Sequence, residues 1–230
     1  MFNHLVCNNF QERLTCGLDE VHVWRVSTVD QLPHLESLMR FLNMDEIARL
    51  NRLVIPIERN QYIVCRATLR LILSRYLDIT PEKICFSSDT KGKMQLQKKL
   101  NLLDIRFSLS HSGNMALYSV SLKKENGVDV EWIRNDLASH WIAERFFPAD
   151  EVKYLRQLKG VSFIEGFFQC WTRMEAYMKA LGQGIAGTGK VTNYDRLSWS
   201  LYNLNLGKGY TGSLVVQGHD HRIIYYDLPC

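Results

Sequence analysis

Apolar and polar residues alternate at period two over Val21-His22-Val23-Trp24-Arg25-Val26, which predicts a half-buried strand early in the chain. Over 31–51 the spacing becomes helical. Pro56 interrupts it, and 57–76 then carries Ile63, Leu69, Ile72 and Leu73 at helical intervals, a second helix. Its four arginines, Arg59, Arg66, Arg70 and Arg75, need partners or a solvent face. After a turn at 78–81, short alternating runs predict strands at 84–86, 105–110 and 114–122. Lys91-Gly92-Lys93 reads as a loop, Ser110-His111-Ser112-Gly113 closes a strand, and a polar turn at 123–127 leads into 128–132. That turn is expected to join two adjacent strands.

The pattern repeats in outline. Helices are predicted around 139–147, from Pro148 onward, and over 163–181 with a stop at Gly182; strands follow near 198–204, 212–217 and 222–228. The class is α+β. Each half runs strand, helices, antiparallel strands, an order that permits a diverged duplication, and no low-complexity linker separates the halves.

Composition narrows the function classes. The 230 residues are 46% hydrophobic and 23% charged, ordinary for a folded domain with a real core. A formal charge of +4 is too weak an excess to argue for nucleic acid, though a local patch could hold phosphates or an acidic partner. The most apolar stretch, 161–171, is too short to span a membrane and contains Glu165. The first residues lack a signal-peptide pattern, so the expectation is a cytoplasmic protein. Cys7, Cys16, Cys65, Cys85, Cys170 and Cys230 form no C-x-x-C pair and read as free thiols of a reducing compartment.

The chemistry concentrates in three segments. In Gly127-Val128-Asp129-Val130-Glu131 the strand period puts both carboxylates on one face. They repel unless a cation sits between them, so the segment is either a hard-metal site or a solvent-facing edge strand. In 168–182, Trp171, Glu175 and Lys179 recur every four residues along one helical stripe, either a functional line or a surface ion pair. Ser110-His111-Ser112-Gly113 offers hydroxyls, a ring N–H and a flexible backbone to an anion, or is a polar turn.

Other patterns fail on context. Gly182-Gln183-Gly184-Ile185-Ala186-Gly187 fits G-x-G-x-x-G but follows a helix, the reverse of a dinucleotide fold. Gly184 to Lys190 lacks the Ser or Thr of a P-loop, having Val191 there, and a helix stop with a loop is the better reading. Without G-x-S-x-G the Ser-His pair does not make a hydrolase triad. His219-Asp220-His221 reads as a hairpin turn before the last strand, not as a metal site.

In order, five stretches resemble the 4'-phosphopantetheinyl transferases, specifically the larger kind that act on carrier domains of peptide, polyketide and fatty-acid synthases. They are Cys65-Arg66-Ala67-Thr68-Leu69-Arg70, Lys91-Gly92-Lys93, Phe107-Ser108-Leu109-Ser110-His111-Ser112, Gly127-Val128-Asp129-Val130-Glu131, and Trp171-Thr172-Arg173-Met174-Glu175-Ala176-Tyr177-Met178-Lys179. The last two are the specific ones. The resemblance implies a pseudo-dimer of two similar α/β halves, residues 1–125 and 126–230, each a small, mostly antiparallel sheet packed with helices. Coenzyme A and Mg2+ would lie in the cleft between them. The serine of an apo acyl or peptidyl carrier protein would attack the β-phosphate of coenzyme A and release 3',5'-ADP.

By position, the resemblance implies Asp129, Glu131 and Glu175 as magnesium ligands, with Glu175 and Lys179 catalytic and Lys179 meeting the pyrophosphate. Arg66, Gly92, Lys93, Ser110, His111 and Ser112 would hold the nucleotide and its 3'-phosphate, beside Asp129. A monomer suffices, because one chain holds both sides of the cleft; neither membrane nor nucleic acid is expected as a partner. Two departures stand out: Met174 occupies a position where the family usually has Lys, and Lys91 and Met94 flank the altered glycine loop. Met174 motivates an alternative, a weakened or binding-only relative that keeps affinity for coenzyme A or carrier. A metal phosphohydrolase using the same carboxylates is a third reading.

Overall fold

In the computed structural model, residues 13–183 and 191–228 are described. Cys7, Cys230 and the glycine-rich residues 184–190 lie outside them. The first half is built from β1 (Glu20–Ser27), α1 (Leu35–Met39), α2 (Met44–Leu50), α3 (Pro56–Leu77), the β2–β3 hairpin (Phe86–Ser88, Met94–Leu96), β4 (Ile105–Ser112) and β5 (Met115–Leu122). The second has β6 (Asn126–Trp132), α4 (His140–Phe146), α5 (Ala149–Leu155), α6 (Gly160–Ala180), β7 (Trp199–Leu204) and β8 (Tyr210–Gln217), before β9 (Arg222–Asp227). The α+β class and the two-half plan expected from the sequence are both present.

The halves share one topology. A strand, a long helix and two further strands occur as β1–α3–β4–β5 and as β6–α6–β7–β8, with sheet orders β4-β5-β1 and β6-β8-β7. In each, the first strand pairs antiparallel with the last, which pairs antiparallel with the middle one. The final strand departs from this symmetry: β9 crosses from the second half to lie parallel to β1, with Val21 opposite Ile223 and Val23 opposite Tyr225.

Three corrections follow from how the sheets stack. The first strand is buried on both faces rather than one: Trp24 and Val26 enter a core with Leu69, Ile72 and Leu73 of α3, while Val21 and Val23 enter an inter-sheet core with Val128, Val130 and Leu214. The turn at 123–127 does not make a hairpin, because β5 and β6 belong to different sheets. Asn126 fixes that crossing: its Oδ1 accepts from Ser119 Oγ (2.6 Å) and its Nδ2 donates to Ser121 Oγ (2.6 Å). The turn at 218–221 likewise leads from β8 into another sheet, and His219 there bonds Leu197 O (2.9 Å).

The helix expected over 31–51 is two short ones. Asn43 restarts the chain with a capping box: its Oδ1 accepts from Glu46 N–H (2.9 Å) and Glu46 Oε2 accepts from Asn43 N–H (3.0 Å). Pro56 opens α3 at its first turn, where the missing N–H costs nothing. The arginines of α3 find partners inside: Arg59 donates to Leu50 O (2.8 Å) and Leu53 O (3.1 Å), Arg70 is fully buried on Glu46 (2.8 Å), and the Arg75 guanidinium lies 5.4 Å from the Trp24 ring centre.

One glycine sets how closely α6 approaches the strand bearing the acids. A Cβ on Gly127 would stand 2.0 Å from Ala176 O and 2.5 Å from Ala180 N, both backbone atoms of α6. Gly127→Ala therefore forces helix and strand apart, with an expected loss of about 3 kcal/mol or more in urea unfolding. An unchanged midpoint would mean that α6 is free to shift.

Candidate active site

The site lies where β6 of the second half faces β4 of the first. These strands are in separate sheets, yet serines at period two on β4 reach the β6 edge. Ser108 Oγ accepts from Val128 N–H (3.2 Å) and Ser112 Oγ from Trp132 N–H (3.1 Å), so hydroxyls satisfy backbone donors that the sheet leaves open. The same face holds the acids. Ser110 Oγ donates to Asp129 Oδ1 (2.7 Å) and Ser112 Oγ donates to Glu131 Oε2 (2.7 Å).

Asp129 is buried, at 3% exposure. Its Oδ1 also accepts from Lys179 Nζ (2.7 Å), while Oδ2 is buried with no hydrogen-bond partner. Burial raises its pKa, and Lys179 and Ser110 act against that rise. Glu175, four residues before Lys179 on α6, is pushed up to about 7, first by burial and then by the charges of Asp129 and Glu131. Burial also raises Glu131. The charge of Asp129 thus makes ionisation of Glu131 and Glu175 harder, and that of Glu131 adds to the effect on Glu175. The three do not close into a tight ligand trio: among the described residues, the group of three or more His, Cys, Asp or Glu ligand atoms within 4.8 Å of one another is Cys16, Glu20 and His22.

A cleft of about 270 Å3 is lined by Lys91, Gly92, Lys93, Met94, Ser108 and Lys179 among others, and Lys179, bonded to Asp129, connects it to the acids. Gly92 permits the tight β2–β3 turn with a φ of +88°, where L side chains are strained. The turn reaches across to the other half, where Lys91 Nζ donates to Leu181 O (3.3 Å) and Lys93 Nζ to Ala180 O (3.3 Å); Lys93 Nζ also donates to Glu125 Oε2 (2.7 Å) within its own half. Two lysines therefore cap the negative end of α6 and line the cleft at once. His111 is exposed; packing and the charge of Lys179 lower its pKa.

Of the residues expected at the site, Asp129, Glu131, Glu175, Lys179, Ser110, His111 and Ser112 meet around β4, β6 and α6. Gly92 and Lys93 border the cleft. Arg66 is engaged elsewhere: it pairs with Glu46 (2.8 Å) and stacks over Phe86 (4.9 Å), touching the cleft through Met94 Sδ. The two serines bond to carboxylates rather than standing open to an anion.

Trp171 packs against Phe167 at the margin of the second core. Lys91, whose ammonium spans the halves, was visible only as a loop flank; no periodicity marks a residue whose partner is 90 positions away.

Met174 is buried at 1% in the core of the second half, and Arg173 turns to Glu151 on α5. An ammonium at 174 would enter that apolar core, not the cleft. Met174→Lys is accordingly expected to lower the unfolding midpoint without raising any rate of transfer; a faster, equally stable variant would refute the placement.

Comparison with known proteins bears on both halves. Residues 24–122 match a family model described as 4'-phosphopantetheinyl transferase, N-terminal, and residues 125–222 one described as 4'-phosphopantetheinyl transferase superfamily. The 4'-phosphopantetheinyl transferase HetI of Nostoc sp. is 39% identical over 75% of this chain and 73% of its own length. Protein slr0495 of Synechocystis sp. is 32% identical over 74% of this chain and 68% of its own. The 4'-phosphopantetheinyl transferase psf-1 of Bacillus pumilus is 30% identical over 66% and 63%. With its two halves matched in sequence order and relatives of this similarity along most of its length, the chain belongs to the 4'-phosphopantetheinyl transferase superfamily.

Proposed function

We propose that the chain transfers the 4'-phosphopantetheine arm of coenzyme A to a serine of an apo acyl or peptidyl carrier protein, using Mg2+ and releasing 3',5'-ADP. The observation that carries this reading is Lys179, which lines the cleft and bonds buried Asp129, whose Oδ2 lacks a partner, one turn along α6 from Glu175, which burial and the neighbouring acids disfavour as an anion. That donor set fits the ion. Three carboxylates are hard oxygen ligands with no soft member, and a cation among them relieves both the orphaned oxygen and the mutual repulsion. Asp129, Glu131 and Glu175 would hold it.

When bound, the ion offsets charge growing on the oxygen that leaves with 3',5'-ADP. The chain's own groups do the rest. Lys93, the Gly92 turn and Lys179 bind coenzyme phosphates in the cleft, with His111, which feels the charge of Lys179, donating beside them and Arg66 reaching in only by way of Met94. Ser110 and Ser112 orient the two strand acids. Carrier serine Oγ attacks the β-phosphorus, its bond to phosphorus forms as that to the bridging oxygen breaks, and the serine proton passes to Glu175, directly or through water. Residues 1–125 and 126–230 supply opposite walls, so a single copy suffices. Among the described residues no helix is long and apolar enough to cross a membrane, and we place the reaction in the cytoplasm.

The test is incubation with coenzyme A, Mg2+ and a panel of apo carrier proteins, read by intact mass. The account expects a gain of one phosphopantetheine arm on a carrier serine. Complex formation without that gain would establish the binding-only alternative, and phosphate release from coenzyme A without carrier would establish a phosphohydrolase.

A further inference from the structure

We propose that Cys16, Glu20 and His22 form a second metal site, remote from the acids of β6, that takes a borderline transition-metal ion of the zinc class. Their ligand atoms lie within 4.8 Å of one another, half-buried at Cys16 and Glu20 and fully buried at His22. His22 Nε2 and Glu20 Oε2 are 3.2 Å apart. Two ligands about 2.0–2.2 Å from a tetrahedral ion sit roughly that far from each other. The mixture of sulfur, nitrogen and oxygen donors discriminates against Mg2+ and Ca2+, which favour oxygen alone.

The support around the ligands is already in place. His22 Nδ1 lies 2.7 Å from Tyr76 Oη, which accepts from Trp24 Nε1 (3.0 Å), so the ring is held through its far nitrogen as metal-bound histidines usually are. Glu20 Oε2 accepts from Gly17 N–H (2.9 Å), and its other oxygen pairs with Arg222 of β9, whose side chain is 72% exposed and can yield to an ion. Cys16 Sγ has the carbonyl oxygens of Gly17, Glu20 and Val120 at 3.5–4.0 Å, weak contacts for a thiol. Leu14 N–H donates to Arg75 O (2.9 Å), so an ion on Cys16 would fasten the segment before β1 to β1 itself and to the end of α3.

Binding forms one bond from each ligand to the ion. The thiol proton leaves to solvent, and the neutral imidazole carries its proton on Nδ1 toward Tyr76, so one proton is released per ion. Because that proton is released, uptake strengthens as pH rises.

The experiment is equilibrium dialysis of the full chain against Zn2+, without coenzyme A or Mg2+, together with Co2+ spectra. The expected result is one Zn2+ per chain, a thiolate-to-cobalt absorption band, and a zinc-induced rise in the thermal midpoint. Cys16→Ser, a conservative change at a half-buried position, is expected to abolish the band and weaken Zn2+ by at least about tenfold. Asp129→Ala is expected to leave both intact, which keeps this outcome independent of the transferase reading. No stoichiometric zinc, or zinc and the cobalt band retained in Cys16→Ser, would overturn the proposal.

Discussion

Asp129→Ala is expected to reduce carrier modification about 10^3-fold or more, a barrier increase of about 4 kcal/mol, while the protein stays folded. The loss is large because one carboxylate does three things. Its Oδ1 fixes Lys179 Nζ and Ser110 Oγ, and its buried Oδ2, without a partner, is free to take a cation. Alanine removes a ligand, frees the ammonium that would meet the pyrophosphate, and leaves Ser110 without its acceptor. Stability should change little, because burying that acid already costs desolvation and Lys179, at 30% exposure, reaches water once released. Initial-rate measurements with saturating coenzyme A, beside urea unfolding, check both parts. Near-normal turnover would remove Asp129 from the mechanism.

Glu175→Gln should separate activity from stability in opposite directions. Transfer is lost with the base and ligand, but the fold becomes more stable. In the folded chain Glu175 keeps its proton to about 7, against an ordinary value of 4.5, because of burial and then Asp129 and Glu131. Between those values the native state binds more protons than the unfolded one, so stability falls as pH rises from about 4.5 to 7. Glutamine never ionises and escapes that loss. The variant should match wild type near pH 5 and exceed it near pH 8 by on the order of 1 kcal/mol or more in metal-free buffer. Equal unfolding midpoints at pH 8 would show that the three acids do not strain one another.

Local patterns foretold local features. The alternation across Gly127 to Glu131 put Asp129 and Glu131 on one face, and the structure gives both the same kind of partner, a β4 serine. The four-residue stripe on α6 placed Glu175 with Lys179, and Gly182 ends the helix with φ of +67°. The long helices, Pro56–Leu77 and Gly160–Ala180, lie close to where apolar spacing put them.

What the chain concealed was long-range. Period two cannot say whether a strand has one packed face or two, and β1 gained its second from the other half. No local rule tells a hairpin turn from a crossing, so the turns at 123–127 and 218–221 were misread; the serines that tie Asn126 act through tertiary contacts. Arg66 and Met174 were placed by analogy of position, yet an acid 20 residues upstream and an apolar core decide where those side chains go. The capping box at Asn43 and Glu46 was the one missed signal that the sequence carried openly.

The claim on which the mechanism rests is that Asp129, Glu131 and Glu175 share one divalent cation. Mn2+, a hard ion visible by electron paramagnetic resonance, tests it most directly in a titration of the full chain with coenzyme A present. The account expects one tightly bound Mn2+ per chain, lost in Asp129→Ala and in Glu175→Gln and unaffected by Cys16→Ser. Equal Mn2+ occupancy in wild type and both acid variants would contradict it.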